Sequence, residues 1–376
     1  MSQHRIRFSS RYHWPRKTLP PGLLLINFLW LIHFSTATAQ PSIKFAGVDT
    51  LVDQAIDLVY QKQYFDAIAM CEKVIRQYPD NPLGYLGQAG VYHIIMLNYR
   101  ISLFEPKFDS LANQAIAIGE KALKQYSNDA NAYFALGAAY GFRGLNRIRK
   151  GEWFGAFKDG VKGVSHIKKA HEMNPELYDV YYGLGLYYYW KSAKAKVLTF
   201  LRLMKDEREK GIDYLKTAAQ KGRFSAMEAV FALIEIYYYE DRYAEALAAS
   251  LSLKDKFSQD PNWNYLAAKI YDKLERWTEA REQFLQLLKL LEQSEFKAYS
   301  FLAECHFGIA KASFELGDYR LARTELDQAI ALSKLWDPTK ELEGPLLDFE
   351  KVRIHMEQLD EKMKSTPVHE SLPSGR

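Results

Sequence analysis

The 376-residue chain has almost no cysteine: Cys71 and Cys305 are the only two. A disulfide framework of the kind that holds small exported domains together is therefore excluded. The spacings that carry catalysis are also missing. No HExxH, CxxC, GxSxG or P-loop pattern occurs, so metal hydrolysis, thiol redox chemistry and acyl or phosphoryl transfer have no support. The nine histidines are scattered. His166 and His171, five apart, stand about 140° apart around a helix and cannot share a metal-facing side. Gly151 and Gly155 lack the lysine and hydroxyl that complete a phosphate cradle. An enzyme is the weakest reading of this chain, and no cofactor is expected.

Long apolar runs are absent from the body of the chain, but a short one lies in a leader. Arg5, Arg7, Arg11, Arg16 and Lys17 come first, Leu23–Phe34 is apolar, and Ala37 and Ala39 fit a small-x-small cleavage site. Roughly 12 apolar residues suit a signal-peptide core, whereas a membrane-spanning helix needs about 20. Residues 1–39 are expected to be a signal peptide and 40–47 a linker, with an uncleaved signal anchor as the alternative. The expected location is the periplasm, with secretion also open. Without the leader the net charge changes sign. The whole chain is +4, and five of its 50 basic residues lie in the leader, which leaves 45 against 46 acids. That balance gives no case for nucleic acid as a partner.

One distance recurs. Tyr85, Tyr133 and Tyr181 stand 48 residues apart, as do Tyr92, Tyr140 and Tyr188, and Ala122, Ala170 and Ala218. A fixed period of this size marks stacked copies of one supersecondary unit, which offer an extended surface for a partner. The repeated residues resemble the tetratricopeptide repeat (TPR), a helix–turn–helix of about 34 residues with the pattern W-x2-L-G-x2-Y, A-x3-F and P. On this chain the units open near Val48, Pro82, Ala130, Tyr178, Met227, Pro261 and Ala303. The small residue early in each second helix is Ala67, Ala115, Gly163, Gly211, Ala246, Ala280 or Ala322. Small side chains let the two helices of a hairpin approach, and the neighbouring aromatic fills the space beside them. The resemblance implies an all-α fold, a right-handed superhelical solenoid of about seven TPR-like repeats across residues 48–336.

Units 2, 3 and 4 carry 14 more residues than the family's unit, about seven per helix, or two turns and roughly 10 Å. Long hairpins are expected within residues 82–226, with turns at Glu105-Pro106, Lys150-Gly151 and Lys205-Asp206. Trp336-Asp337-Pro338 ends the repeats. A C-terminal capping helix is expected within 337–364 and a disordered tail at 365–376.

Two constellations suggest binding. The TPR resemblance implies a concave groove lined by Phe134, Phe142, Tyr182, Tyr189, Trp190, Phe231, Tyr238, Tyr239 and Tyr265, with Phe307 beyond them. Glu228, Glu235, Lys269 and Lys311 would add polar contacts, and the family's basic carboxylate clamp is not reproduced. Aromatic rings give much contact area for little rotamer entropy, which suits a protein or peptide partner. The other reading of these rings is that a curved stack buries them. The second constellation is charge. Residues 141–170 have a net of +6 and 191–210 a net of +4, both on the inserted hairpins. Arg147, Arg149, Lys150, Trp153, Lys158, Lys194, Lys196 and Arg202 would form basic, partly apolar tips. Such tips suit an anionic membrane surface or a membrane protein, unless their apolar residues only pack the hairpins together.

Overall fold

The computed structural model describes residues 48–194 and 205–365. The leader, the linker, Lys196, Arg202 and the tail from 366 lie outside the described residues. The described residues form α1 (Val48–Tyr60), α2 (Tyr64–Gln77), α3 (Pro82–Tyr99), α4 (Glu105–Gln125), α5 (Ala130–Arg149), α6 (Trp153–Met173) and α7 (Val180–Lys194). There follow α8 (Arg208–Lys221), α9 (Ala226–Tyr239), α10 (Tyr243–Ser252), α11 (Lys254–Phe257), α12 (Pro261–Lys273) and α13 (Trp277–Gln293). The chain closes with α14 (Tyr299–Glu315), α15 (Tyr319–Ser333) and α16 (Phe349–Ser365). Each hairpin packs on the next, giving a solenoid of seven repeats, and α16 lies against α14 and α15.

Local chemistry sets the breaks. Asn81, Asp129 and Asp260 cap α3, α5 and α12, each accepting from a backbone N–H at 2.9–3.0 Å. Each satisfies a donor that the helix start leaves open. Inside the hairpins the chain reverses through a left-handed residue: Lys62, Arg100, Gly151, Asp241, Glu275 and Gly317 all have positive φ. Where helices meet most closely, glycine is required. A Cβ on Gly211 would come within 2.7 Å of the Gly185 carbonyl, so α7 and α8 touch backbone to backbone.

The inserted residues of units 2 and 3 lie within the described residues. In units 2 and 3 they lengthen the helices, to 18 and 21 residues in α3 and α4 and to 20 and 21 in α5 and α6. The second turn falls at Lys150-Gly151, but Glu105 already opens α4, so the first turn precedes Glu105-Pro106. In unit 4, α7 is described as far as Lys194 and α8 opens at Arg208, and residues 195–204, on which the expected long hairpin depends, lie outside the described residues. The last unit opens at Tyr299, four residues ahead of Ala303.

First and second helices differ in burial. The α3 helix buries fourteen of its 18 residues, whereas α4 buries seven of 21 along one stripe. A helix apolar on all sides has protein on all sides. The first helices pack against their hairpin partners and against the first helices of neighbouring repeats, and α3 also meets α12 across the solenoid. Tyr140, Tyr182, Tyr189, Tyr265, Phe108 and Phe142 are among the largest fully buried side chains. At the end of the stack, Phe349, Val352, Met356 and Leu359 of α16 join Ala303, Phe307, Phe314 and Leu326 in a separate cluster.

Candidate functional site

The solenoid curls until its early repeats meet its late ones. Arg100, in the turn after α3, places its guanidinium 2.7 Å from Glu304 of α14 and over the rings of Tyr265 and Phe301, at 4.3 and 3.7 Å. Burial works against both charges but is outweighed: Glu304 holds the Arg100 pKa above the ordinary arginine value, and Lys269 followed by Arg100 holds that of Glu304 below the ordinary carboxylate value. The backbone continues the seam. Ile101 and Glu341 form an antiparallel bridge, with Ser102 N donating to Lys340 O at 2.9 Å and Leu342 N to Arg100 O at 2.8 Å. Nearby, Asn98 donates to Asp260 at 3.0 Å and Lys62 pairs with the same carboxylate, while Arg223 pairs with Asp53 of α1.

Burial corrects the expected open groove. Phe134, Phe142, Tyr182, Tyr189, Trp190, Phe231 and Tyr265 are all buried. Glu235 and Glu228 are buried with them, each with one carboxylate oxygen lacking a hydrogen-bond partner among the described residues. Neighbouring repeats cover most of them, and Arg100 from across the seam covers Tyr265. Phe142 stacks on Phe108, Trp190 meets Tyr239 edge-on at 5.8 Å, and the Tyr189 hydroxyl donates to Glu240 at 2.7 Å. A partner has no access to them in this conformation.

One part of the concave face stays open. A cavity of about 620 Å³ lies among the first helices of units 5, 6 and 7, the segment at 346–351, and α16. Tyr238 and Tyr239, both half-buried, and the buried Phe307 are the three expected groove rings that line it. Phe307, Leu346, Leu347 and Leu359 supply apolar wall, and Phe284 lies directly beneath Gly308, where a Cβ would strike its ring at 2.4 Å. Lys269, Lys273, Lys311, Lys351 and Lys362 bring positive charge to the same space, beside the His355 imidazole. Lys269 reaches Glu304 at 3.2 Å, Lys311 Asp272 at 2.7 Å and Lys362 Glu315 at 2.8 Å. Lys273 forms no ion pair among the described residues. Partial burial and the neighbouring Lys269 lower its pKa, and burial with Lys269, Lys311 and Lys273 lowers that of His355. Glu304 belongs to the cleft and to the closure at once, because it also accepts from Tyr265 at 3.1 Å.

The tips are also corrected. Arg147 pairs with Asp159 at 2.6 Å, and Arg149 is nearly buried 2.7 Å from Glu105. Lys150 meets Asp109 at 2.9 Å, and Arg143 shares Asp159 at 2.7 Å. Glu105 and Asp109 come from α4, so the preceding hairpin neutralises the charge that looked segregated along the chain. Lys158 is exposed on α6 and Lys194 at the end of α7. What the third hairpin shows to solvent is mostly apolar: Trp153, Phe154 and Phe157 are 64, 85 and 71% exposed.

Sequence reasoning missed Arg100, Lys273 and His355. Lys269 and Lys311 hold equivalent positions in successive first helices, and Lys273 follows Lys269 by one turn; that recurrence was the available signal. Among the described residues, no group of side chains could hold a metal ion, and no helix is long and apolar enough to cross a membrane. Cys71 and Cys305 are free, buried thiols.

No protein-family model matches the chain, and no curated protein matches it. Solved structures do. The chain is similar to one in the Cut9–Hcn1 hetero-tetramer of the APC/C, at 15% identity and a TM-score of 0.51. That match covers 84% of this chain but spans only half, 50%, of the other. It is also similar to the C-terminal part of a TPR protein from Cytophaga hutchinsonii (16% identity, 74 and 94% coverage, TM-score 0.41). A third likeness is to YrrB, a TPR protein with an unusual peptide-binding site (19% identity, 60 and 94% coverage, TM-score 0.32). The fold is a TPR-type α-helical solenoid.

Proposed function

We propose that this protein is a non-enzymatic scaffold that binds a segment of another protein in the cleft between α9, α12, α14 and α16. The carrying observation is that cleft: the buried inward rings leave it as the open part of the concave face. Apolar wall from Phe307, Leu346 and Leu347 beside Lys273 suits an extended segment with both apolar and acidic side chains. Binding outside the cytoplasm, as the leader implies, is part of the same proposal.

The test is capture from an extract of the source cells by wild-type chain and by a Lys273→Glu, Tyr239→Ala variant. The proposal expects proteins retained by the wild type and lost from the variant while its unfolding transition is kept. An unchanged set of retained proteins would remove the cleft from consideration.

A further inference from the structure

The start of α6 carries an apolar face that nothing among the described residues covers. Trp153, Phe154, Phe157 and Val161 are all more than half exposed. Their spacing places them within about 100° of one another around the helix, so they form one stripe. Cations surround it. Lys158 is exposed and Lys168 half-buried, while the exposed Lys150, Lys162 and Lys169 pair with Asp109 and Glu152, with Glu120 and with Glu172 respectively. Asp159 adds no negative charge to this face, because it is buried between Arg143 and Arg147. The stripe is also held firmly: α5 and α6 are locked together by those two arginines, and Arg149 ties the tip to Glu105 of α4.

We infer that this stripe docks on the surface of an anionic lipid bilayer, with the three aromatic rings at the headgroup level and the lysines against lipid phosphates. Aromatic rings favour that interface, and lysines beside an apolar stripe add attraction to anionic headgroups. The same charges argue against a second copy as the occupant. Packing stripe on stripe would bring two sets of like-charged lysines together, whereas an anionic surface complements them. The contact is peripheral: four residues on a rigid hairpin tip reach the interface and do not span it.

The two native thiols are buried and free, so a cysteine introduced on the surface can be labelled selectively. Phe157→Cys in the full chain, carrying an environment-sensitive fluorophore, reads the stripe itself and is blind to the apolar leader. Glu282→Cys, exposed on α13, is the control. With phosphatidylglycerol–phosphatidylcholine vesicles, the Phe157 label should shift to the blue and the Glu282 label should not. A Trp153→Ser, Phe154→Ser background should weaken vesicle binding read by the Phe157 label by about tenfold or more, and Lys158→Glu, Lys162→Glu by a similar factor on anionic vesicles only. No shift at Phe157, an equal shift at Glu282, or equal response with pure phosphatidylcholine would overturn the inference. So would a label shift that appears without lipid and grows with protein concentration, since the stripe would then be a contact between copies.

Discussion

Arg100 and Glu304 lie 204 positions apart in the chain and 2.7 Å apart in space, both buried. A linear stack in which each repeat touches only its neighbours cannot make such a contact. The pair therefore defines this molecule as a closed solenoid.

Removing the arginine should loosen the seam. Arg100→Ala leaves Glu304 buried with only Lys269 and the Tyr265 hydroxyl, and breaking such a pair costs about 3–5 kcal/mol. Urea unfolding measures the loss, and small-angle scattering should show a larger radius of gyration. A variant as compact and as stable as the wild type would mean that the pair holds nothing together.

The inward tyrosines should behave as core. Tyr182→Ala removes a ring 1% exposed and should lower stability by about 3–5 kcal/mol. Tyr239→Ala, at the half-buried cleft wall, should cost about 1 kcal/mol or less. Comparable small losses at both positions, read by thermal unfolding, would return Tyr182 to a surface groove.

Glu235 gives a pH signature. Burial raises its folded-state pKa well above the ordinary carboxylate value, so the folded chain keeps a proton that the unfolded chain releases. Its presence thus opposes folding increasingly as the pH climbs from about 4.3, the unfolded value, towards the folded one. Glu235→Gln should be more stable than wild type at pH 8 by an amount on the order of 1 kcal/mol, with little gain at pH 4. Denaturant titrations at the two pH values decide it; an equal effect at both would show that Glu235 does not titrate this way.

His355 reports on the cleft. Burial and then Lys269, Lys311 and Lys273 hold its pKa below 6.5, with Asp272 acting in the opposite sense. Lys273→Ala removes one like charge, so the imidazole should titrate at a higher pH, as followed by NMR with His355→Gln for assignment. An unmoved titration would mean that Lys273 does not face the ring.

Much of the fold was legible in the residues. The tyrosine and alanine ladders identify stacked hairpins, and Gly185 with Gly211 shows where backbones touch. Closure was not legible, because it joins a turn residue of unit 2 to a glutamate of unit 7 and no local pattern relates them. Phe142, Tyr189 and Trp190 were expected in an open groove, but nothing in a first helix says whether a ring meets solvent or the neighbouring repeat that covers it. The tips misled for a similar reason: Arg149 and Lys150 look unpaired along the chain, while Glu105 and Asp109 reach them from the previous hairpin. The cleft depends on where α16 and the segment before it come to rest, which repeat periodicity does not address.

The seam itself gives the most direct test. Ser102 and Lys340 face each other beside the Ile101–Glu341 bridge, with Ser102 N donating to Lys340 O at 2.9 Å. Paired strands at this register suit a disulfide. The full chain carrying Ser102→Cys and Lys340→Cys should form an intramolecular crosslink under mild oxidation, seen as a mobility shift on non-reducing gels, and should unfold later than its reduced form. A chain that stays uncrosslinked while folded, or crosslinks only after Arg100 is also replaced, would contradict a closed solenoid.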